Sequence, residues 1–181
     1  MMDQLFAVGA ADVMPTSNDW YTPRWVFAAA GIVFDLDVAA PVDPAMRTCP
    51  ARAYLTVIED GLASDWHGVV WMNPPFSGPA PWADKFAQHP AGLAIMPALP
   101  RAKSLGVLLG AADAMTLINP DFGRPDGTTG ILRWPMLLAA RGAVCVAALA
   151  RVAAADKLAN GAYHVRSAPA YREVMDRVPV P

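Results

Sequence analysis

In residues 70–77, VWMNPPFS, an apolar run is followed directly by groups that could take part in chemistry. The apolar run could position those groups. The amide oxygen of Asn73 and the backbone carbonyl of Pro74 are hydrogen-bond acceptors. Pro74 and Pro75 restrict the backbone, so these acceptors are held in a fixed direction at little entropic cost. The ring of Phe76 can stack on a flat partner, an interaction worth roughly 1–3 kcal/mol for a nucleic-acid base. Together they suit an exocyclic amino group on a planar ring, whose hydrogens they accept while the nitrogen lone pair faces an electrophile.

The elements that must position this stretch alternate along the chain. We predict strands at 32–38, 53–58, 68–72, 92–97, 114–118, 136–140 and 143–150, helices at 24–31, 81–89 and 104–112, and a loop at 121–130. In the first helix, Thr22 is expected to cap, Pro23 to occupy the first turn and Gly31 to end it. This alternation indicates an α/β fold with a largely parallel, twisted sheet flanked by helices. Ligands bind beyond the carboxyl ends of strands in such sheets, which is where Asn73 falls.

The length of 181 residues suits one domain, which we place at 19–181 after a loose arm at 1–18. A net charge of −2 gives no overall indication of nucleic-acid binding, so such a partner would need a local basic patch. Cys49 and Cys145 lack the spacing of a disulfide scaffold or a zinc site, which favours a reducing cytoplasm. Neither a signal peptide nor a membrane-spanning run is predicted, and no metal is expected.

An ordered set of motifs resembles a known family. Asn-Pro-Pro-Phe after an apolar strand is similar to the signature of amino-group methyltransferases that use S-adenosylmethionine. DWYTPRWVF at 19–27 resembles the Thr-Pro motif upstream of their cofactor site, and FDLDVAA at 34–40 resembles their first cofactor-binding motif. The block at 48–77 is similar to phage-type DNA N6-adenine methyltransferases, a Dam-like family. Weaker similarity continues at 93–98 and 122–127.

The resemblance implies a Rossmann-like methyltransferase fold and roles for particular residues. The catalytic group is Asn73, Pro74, Pro75 and Phe76. The cofactor, S-adenosylmethionine, is expected to contact Tyr21, Thr22, Pro23, Asp35, Asp37, Ala39, Asp60 and Asn73, with Glu59 and Asp65 as rivals of Asp60. Contacts to DNA are expected from Ser77, Arg101, Lys103, Arg124 and Arg133. The chain departs from the family where Ala39, Ala40 and Pro41 replace the usual glycine-rich turn.

The implied reaction is direct methyl transfer to N6 of an adenine flipped out of double-stranded DNA, a role that could protect phage DNA from restriction. Other targets stay open: cytosine N4, adenine in RNA, or a glutamine side chain, since each presents an amino group on a planar unit. The alternative that is not an enzyme is a non-catalytic nucleic-acid-binding module with the same fold. Plainer interpretations also stay open, with one of Asp35 and Asp37 as an exposed edge charge, Asp60-Gly61 as a turn, and the basic residues as scattered solvated charge.

Overall fold

The structure, a computed structural model, describes residues 19–130 and 132–165. The predicted arm at 1–18 and the end of the predicted domain at 166–181 lie outside the described residues. The helices are α1 (Arg24–Ala30), α2 (Ala80–Gln88), α3 (Lys103–Ala111) and α4 (Ala143–Ala155), with a short 3-10 helix at Pro44–Met46. The strands are β1 (Phe34–Asp37), β2 (Ala51–Tyr54), β3 (Val70–Met72), β4 (Gly92–Pro97), β5 (Ala114–Ile118), β6 (Phe122–Gly123), β7 (Thr129–Gly130), β8 (Met136–Arg141) and β9 (His164–Val165).

Seven of these strands form one mixed sheet in the order β2-β1-β3-β4-β8-β5-β9. The pairs β2–β1, β1–β3 and β3–β4 are parallel, whereas β4–β8, β8–β5 and β5–β9 are antiparallel. The prediction of an α/β fold is confirmed. The prediction of a largely parallel sheet holds for only half of it, because three of its six strand pairs are parallel. The difference arises because β8 inserts between β4 and β5 and runs against both.

The apolar run at 143–150 was predicted to be a strand, and this prediction is wrong. It forms most of α4, which is rich in alanine, the strongest helix former. Seven of its thirteen residues are buried, because the helix packs on β8, β5 and α1. A helix buried on most of its surface loses the polar face that would mark it in the sequence, so its apolar run resembles a buried strand.

Two smaller differences concern the second strand and the predicted loop. The second strand was predicted at 53–58, whereas β2 covers 51–54 and residues 55–58 follow its end. The predicted loop at 121–130 contains the two-stranded hairpin β6–β7. Within the described ranges, no helix is long and apolar enough to cross a bilayer.

The chain changes direction across the sheet at β1. It passes from β1 to β2 on one side, and β3 then pairs with the other side of β1, with Asp37 opposite Trp71. Such a switch point leaves a crevice beyond the carboxyl ends of the two strands, because their connections leave in opposite directions. Two apolar clusters, one on each face, hold the sheet that positions this crevice.

Candidate active site

A cavity of about 690 Å³ opens at the carboxyl ends of β1 and β3. Its size suits a nucleoside-sized molecule. The described residues that line it include four carboxylates and neither lysine nor arginine. They are Asp19, Trp20, Tyr21, Thr22, Asp37, Val38, Ala39, Ala40, Pro41, Val42, Asp43, Met46, Thr48, Cys49, Thr56, Val57, Asp60, Gly61, Trp71, Asn73, Pro75, Trp82 and Pro125.

Asn73 lies one residue beyond β3 and lines this cavity. Its Nδ2 donates to the backbone carbonyl of Trp20 at 2.6 Å and to Oγ1 of Thr22 at 3.3 Å. Its Oδ1 is buried and has no hydrogen-bond partner within the described structure. A buried acceptor without a partner is costly in a folded protein and indicates a position that a ligand donor fills.

The three residues after Asn73 have different surroundings. Pro74 is buried, and Pro75 is exposed and lines the cavity. Phe76 is partly buried outside the cavity lining, with its ring edge-to-face against Phe122 at a centroid distance of 6.2 Å. Ser77 is exposed. The structure therefore brings Asn73 and Pro75 to the cavity and places Phe76 beside it.

The segment before α1 forms a second wall of the cavity. Tyr21 exchanges two backbone hydrogen bonds of 2.9 Å with Gly123 of the β6–β7 hairpin, and Tyr21 and Thr22 both line the cavity. The N-cap of α1 is Pro23, with no side-chain cap. The predicted capping by Thr22 is wrong, because its hydroxyl is turned toward Asn73. Gly31 ends the helix as predicted, in the left-handed conformation with φ of 62°.

Asp37 is a buried carboxyl group at the end of β1, only 4% exposed. Burial raises the pKa of Asp37 to about 7, against the opposing effects of the Ala39 N–H, the charge of Arg47 and the thiol of Cys49. The Ala39 N–H lies 3.2 Å from its Oδ1. Burial and the neighbouring Asp37 together raise the pKa of the Cys49 thiol, which disfavours its thiolate form. A carboxyl group of shifted pKa in a cavity is typical of a binding site.

Asp60 lies on the loop that closes the cavity beside β1. Its backbone has φ of 53°, and its Oδ1 accepts from the N–H groups of Leu62 and Ala63, the geometry of a turn. It also lines the cavity, so the turn and the predicted cofactor contact are compatible. The rivals Glu59 and Asp65 do not line it. The carboxylate of Glu59 instead accepts from the N–H and hydroxyl of Thr56, which hold the pKa of Glu59 below its ordinary value.

The loop at 59–66 is fastened to α2. The ammonium of Lys85 donates to the carbonyls of Gly61, Leu62 and Ser64. The indole of Trp66 donates to the Gly61 carbonyl at 2.7 Å and stacks on Trp82. These contacts hold the carboxylate-bearing turn against the cavity.

Asp35 is kept away from the cavity. It accepts from the N–H of Val69 at 2.7 Å and forms an ion pair with Arg52, and both contacts hold the pKa of Asp35 below its ordinary value. This carboxylate fastens β1 to its neighbours. Ala39 does line the cavity, and its N–H already donates to Asp37 rather than facing a ligand.

The predicted DNA contacts lie in segments at the same edge of the sheet as Asn73. Arg101 is exposed after β4, Lys103 begins α3 and pairs with Asp84, and Arg133 is exposed before β8. The guanidinium of Arg124 lies 4.5 Å from the ring centroid of Trp20. Of these basic groups, Arg124 is the one held against a cavity residue.

Sequence reasoning missed Lys85 and the hydrogen bond between Asn73 and the backbone of Trp20. Trp20 holds Asn73 through its backbone carbonyl, which no side-chain pattern can reveal. Lys85 is a cation on the partly buried side of α2, and that placement was the available signal. No cluster of side chains within the described ranges could hold a metal ion.

Comparison with known proteins shows which family part of this sequence resembles. Residues 11–98 match the family model described as DNA N-6-adenine-methyltransferase (Dam). The predicted resemblance to the Dam family is confirmed. The Dam-like segment contains every cavity residue except Pro125, and the four basic residues predicted to contact DNA follow it.

One curated relative supports the same resemblance. A DNA N-6-adenine-methyltransferase of Haemophilus phage HP1 (strain HP1c1) is 38% identical over 68 residues. The alignment covers 35% of this chain and 37% of the phage protein, so the chain spans little more than a third of that relative's length. No solved structure matches the chain.

Proposed function

We propose that the chain is a DNA methyltransferase that transfers a methyl group from S-adenosylmethionine to N6 of adenine. The Dam-like segment and the phage relative support this activity. The observation that carries the proposal is the orientation of Asn73. Its Nδ2 donates to two protein acceptors, which leaves Oδ1, a buried acceptor on a residue that lines the cavity, without a partner among the described residues.

The residues of the cavity fit the proposed cofactor. S-adenosylmethionine, when bound, supplies a methyl group on a positively charged sulfur. The carboxyl groups of Asp19, Asp37, Asp43 and Asp60 suit a cation, an amino group and ribose hydroxyls. The described part of the lining contains no lysine or arginine that would bind a phosphate. A Rossmann-like methyltransferase fold is supported by the cavity's place at the switch point between β1 and β3.

Asn73 and the Pro74 carbonyl would accept the two hydrogens of the target amino group. This arrangement turns the nitrogen lone pair away from them and toward the methyl donor, and the two acceptors stabilise the positive charge that develops on the nitrogen. Most of the rate gain would come from positioning, since no covalent intermediate is needed. Phe76, beside Pro75 at the rim, would stack on the incoming base.

Double-stranded DNA is the proposed partner, with the adenine flipped out of the stack because its amino group cannot be reached inside the duplex. Ser77, Arg101, Lys103, Arg124 and Arg133 are the proposed contacts. The proposed setting is the cytoplasm of a host cell, and the proposed role is to protect phage DNA from restriction. Transfer to cytosine N4, RNA adenine or glutamine uses the same acceptors and is distinguished by the product.

The test is transfer from labelled S-adenosylmethionine to unmethylated DNA, followed by digestion to nucleosides. Label in N6-methyladenosine is expected. Label in N4-methylcytosine would keep the mechanism and change the substrate. No label, together with no cofactor binding by calorimetry, would favour a non-catalytic binding module.

The variant Asn73→Ala tests the role of the amide. It should abolish transfer and leave the affinity for S-adenosylmethionine nearly unchanged, because the amide is proposed to act on the base. Asn119→Ala is the matched control, since Asn119 is exposed and outside the cavity lining, and it should keep full activity. Full activity of Asn73→Ala would refute the assignment.

A further inference from the structure

The amide of Asn73 is held by the segment that precedes α1. Trp20 and Thr22 each accept one hydrogen of Nδ2, so both hydrogens of this group have partners. Thr22 is 2% exposed, and its hydroxyl is therefore shielded from bulk water. A side chain held in this way cannot rotate without breaking two hydrogen bonds.

The orientation of the amide follows from these contacts. If the amide were turned by 180°, Oδ1 would lie 2.6 Å from the Trp20 carbonyl oxygen, and two acceptors would repel each other at that distance. With nitrogen on this side, Oδ1 occupies the buried position that has no partner among residues 19–130 and 132–165. Groups outside the Asn-Pro-Pro-Phe motif therefore determine that the oxygen of Asn73, and not its nitrogen, is available as the acceptor in the proposed reaction.

We propose that Thr22 is a positioning residue that fixes the amide of Asn73 with its Oδ1 toward the substrate amino group. This inference rests on the proposed function and adds a role to Thr22 beyond the predicted cofactor contact. Its hydroxyl accepts one Nδ2 hydrogen, and the Trp20 carbonyl accepts the other.

The same contacts make asparagine necessary at position 73 of this chain. An ionised carboxylate there would place an oxygen against the Trp20 carbonyl, with no hydrogen to share between them. Only a protonated carboxyl group could donate to that carbonyl. The variant Asn73→Asp should therefore transfer methyl groups poorly at neutral pH, and its activity relative to the parent protein should rise as the pH falls.

Kinetics of Thr22→Val and Thr22→Ser test the role of the hydroxyl. Valine has the same shape without the acceptor, and we expect kcat to fall about tenfold, the effect of one lost neutral hydrogen bond. The Kd for S-adenosylmethionine should change much less, and serine should restore kcat. The control is Thr116→Val, which removes another buried hydroxyl that donates to a carbonyl at 2.6 Å outside the cavity and should leave kcat unchanged.

A measurement without cofactor or DNA tests the geometry alone. In ¹⁵N-labelled protein, the side-chain NH₂ signals of Asn73, assigned by their loss in Asn73→Asp, should be protected from hydrogen exchange. Protection of one hydrogen should be lost in Thr22→Val and kept in Thr22→Ser.

Two results would overturn the inference. One is unchanged kcat and exchange in Thr22→Val. The other is a loss of cofactor affinity with kcat intact, which would make Thr22 a cofactor ligand only. If the parent protein transfers no methyl group, the proposed function fails, and the exchange experiment still decides whether Thr22 holds the amide.

Discussion

Asp37 combines two properties that oppose each other at the scale of a single residue. It is almost completely buried, which disfavours its charged form, and it lines a cavity proposed to receive a cationic ligand, which would favour that form. Its carboxyl group is therefore held near the midpoint of its titration at neutral pH, with a pKa of about 7. A ligand that donates to Asp37 would release a proton on binding.

This residue predicts a pH-dependent stability of the free protein. The folded pKa lies above the ordinary value of 3.8, so between about pH 4 and pH 7 the folded state holds a proton that the unfolded state has lost. The contribution of Asp37 is fully present below this range and is lost as the pH rises through about 7. Between about pH 4 and pH 7, the contribution of Asp37 to the free energy of unfolding should fall by about 1.4 kcal/mol per pH unit.

Urea unfolding of the parent protein and of Asp37→Asn at pH 5 and pH 7.5 measures this effect. The amide resembles the protonated acid and cannot ionise, so the difference in stability between the two proteins should shift in favour of the variant as the pH rises. Comparing the two proteins removes the contributions of Asp35, Glu59 and Asp126, whose pKa values are lowered. A difference that is the same at both pH values would show that Asp37 ionises normally.

At the scale of elements, Gly61 of the loop at 59–66 approaches Val38 closely, the residue that follows β1. A Cβ at this position would lie 2.0 Å from the Val38 carbonyl oxygen and 2.9 Å from the Trp82 ring. Gly61→Ala must therefore push the loop away from β1 and move Asp60 with it. We expect unfolding to become easier by about 1–3 kcal/mol, as for other forced overpacking, and S-adenosylmethionine to bind more weakly.

Gly106→Ala is the matched control for this substitution. Gly106 lies inside α3, and an added Cβ would meet nothing within 4 Å. Alanine there should stabilise the protein by about 0.5–1 kcal/mol through helix propensity and leave ligand affinity unchanged. Chemical denaturation and calorimetry of both variants give the comparison. If Gly61→Ala matches the control in both measurements, the loop does not depend on this contact.

The elements around the site could be predicted from sequence, because their signals are local. β4 at 92–97 and β5 at 114–118 have the predicted bounds, and α1 ends at the predicted Gly31. The place of β8 between β4 and β5 could not be predicted, since strand order depends on contacts distant in the chain.

The same distinction holds within the site. Asn73 was found from its motif, and the structure places it at the cavity. Its two acceptors come from residues more than 50 positions earlier, one of them a backbone carbonyl. Asp35 and Asp37 alternate on one strand, and the sequence alone could not decide which of them reaches the cavity.

At the scale of the whole molecule, the Dam-like segment and the rest of the chain have different tasks. The segment supplies nearly all of the cavity, whereas β8, β5 and α4 complete the sheet and cover one of its faces. β4, the last strand of the segment, pairs along its length with β8. The hairpin β6–β7, which carries Arg124, contacts the cavity wall at Tyr21.

Because the net charge is −2, the proposed binding to DNA would depend on where the basic residues lie and not on the total charge. Among the basic residues predicted to contact DNA, Arg124 is the one held against a cavity residue, Trp20. Arg124→Ala should therefore lower the slope of log K against log salt concentration by the amount expected for one lost phosphate contact. Arg124→Lys should keep that dependence. Arg52→Ala removes the same charge from β2, where Arg52 pairs with Asp35, and should leave it unchanged. Fluorescence anisotropy between low and moderate salt measures the slopes, and equal slopes for Arg124→Ala and Arg52→Ala would place the DNA on another face of the molecule.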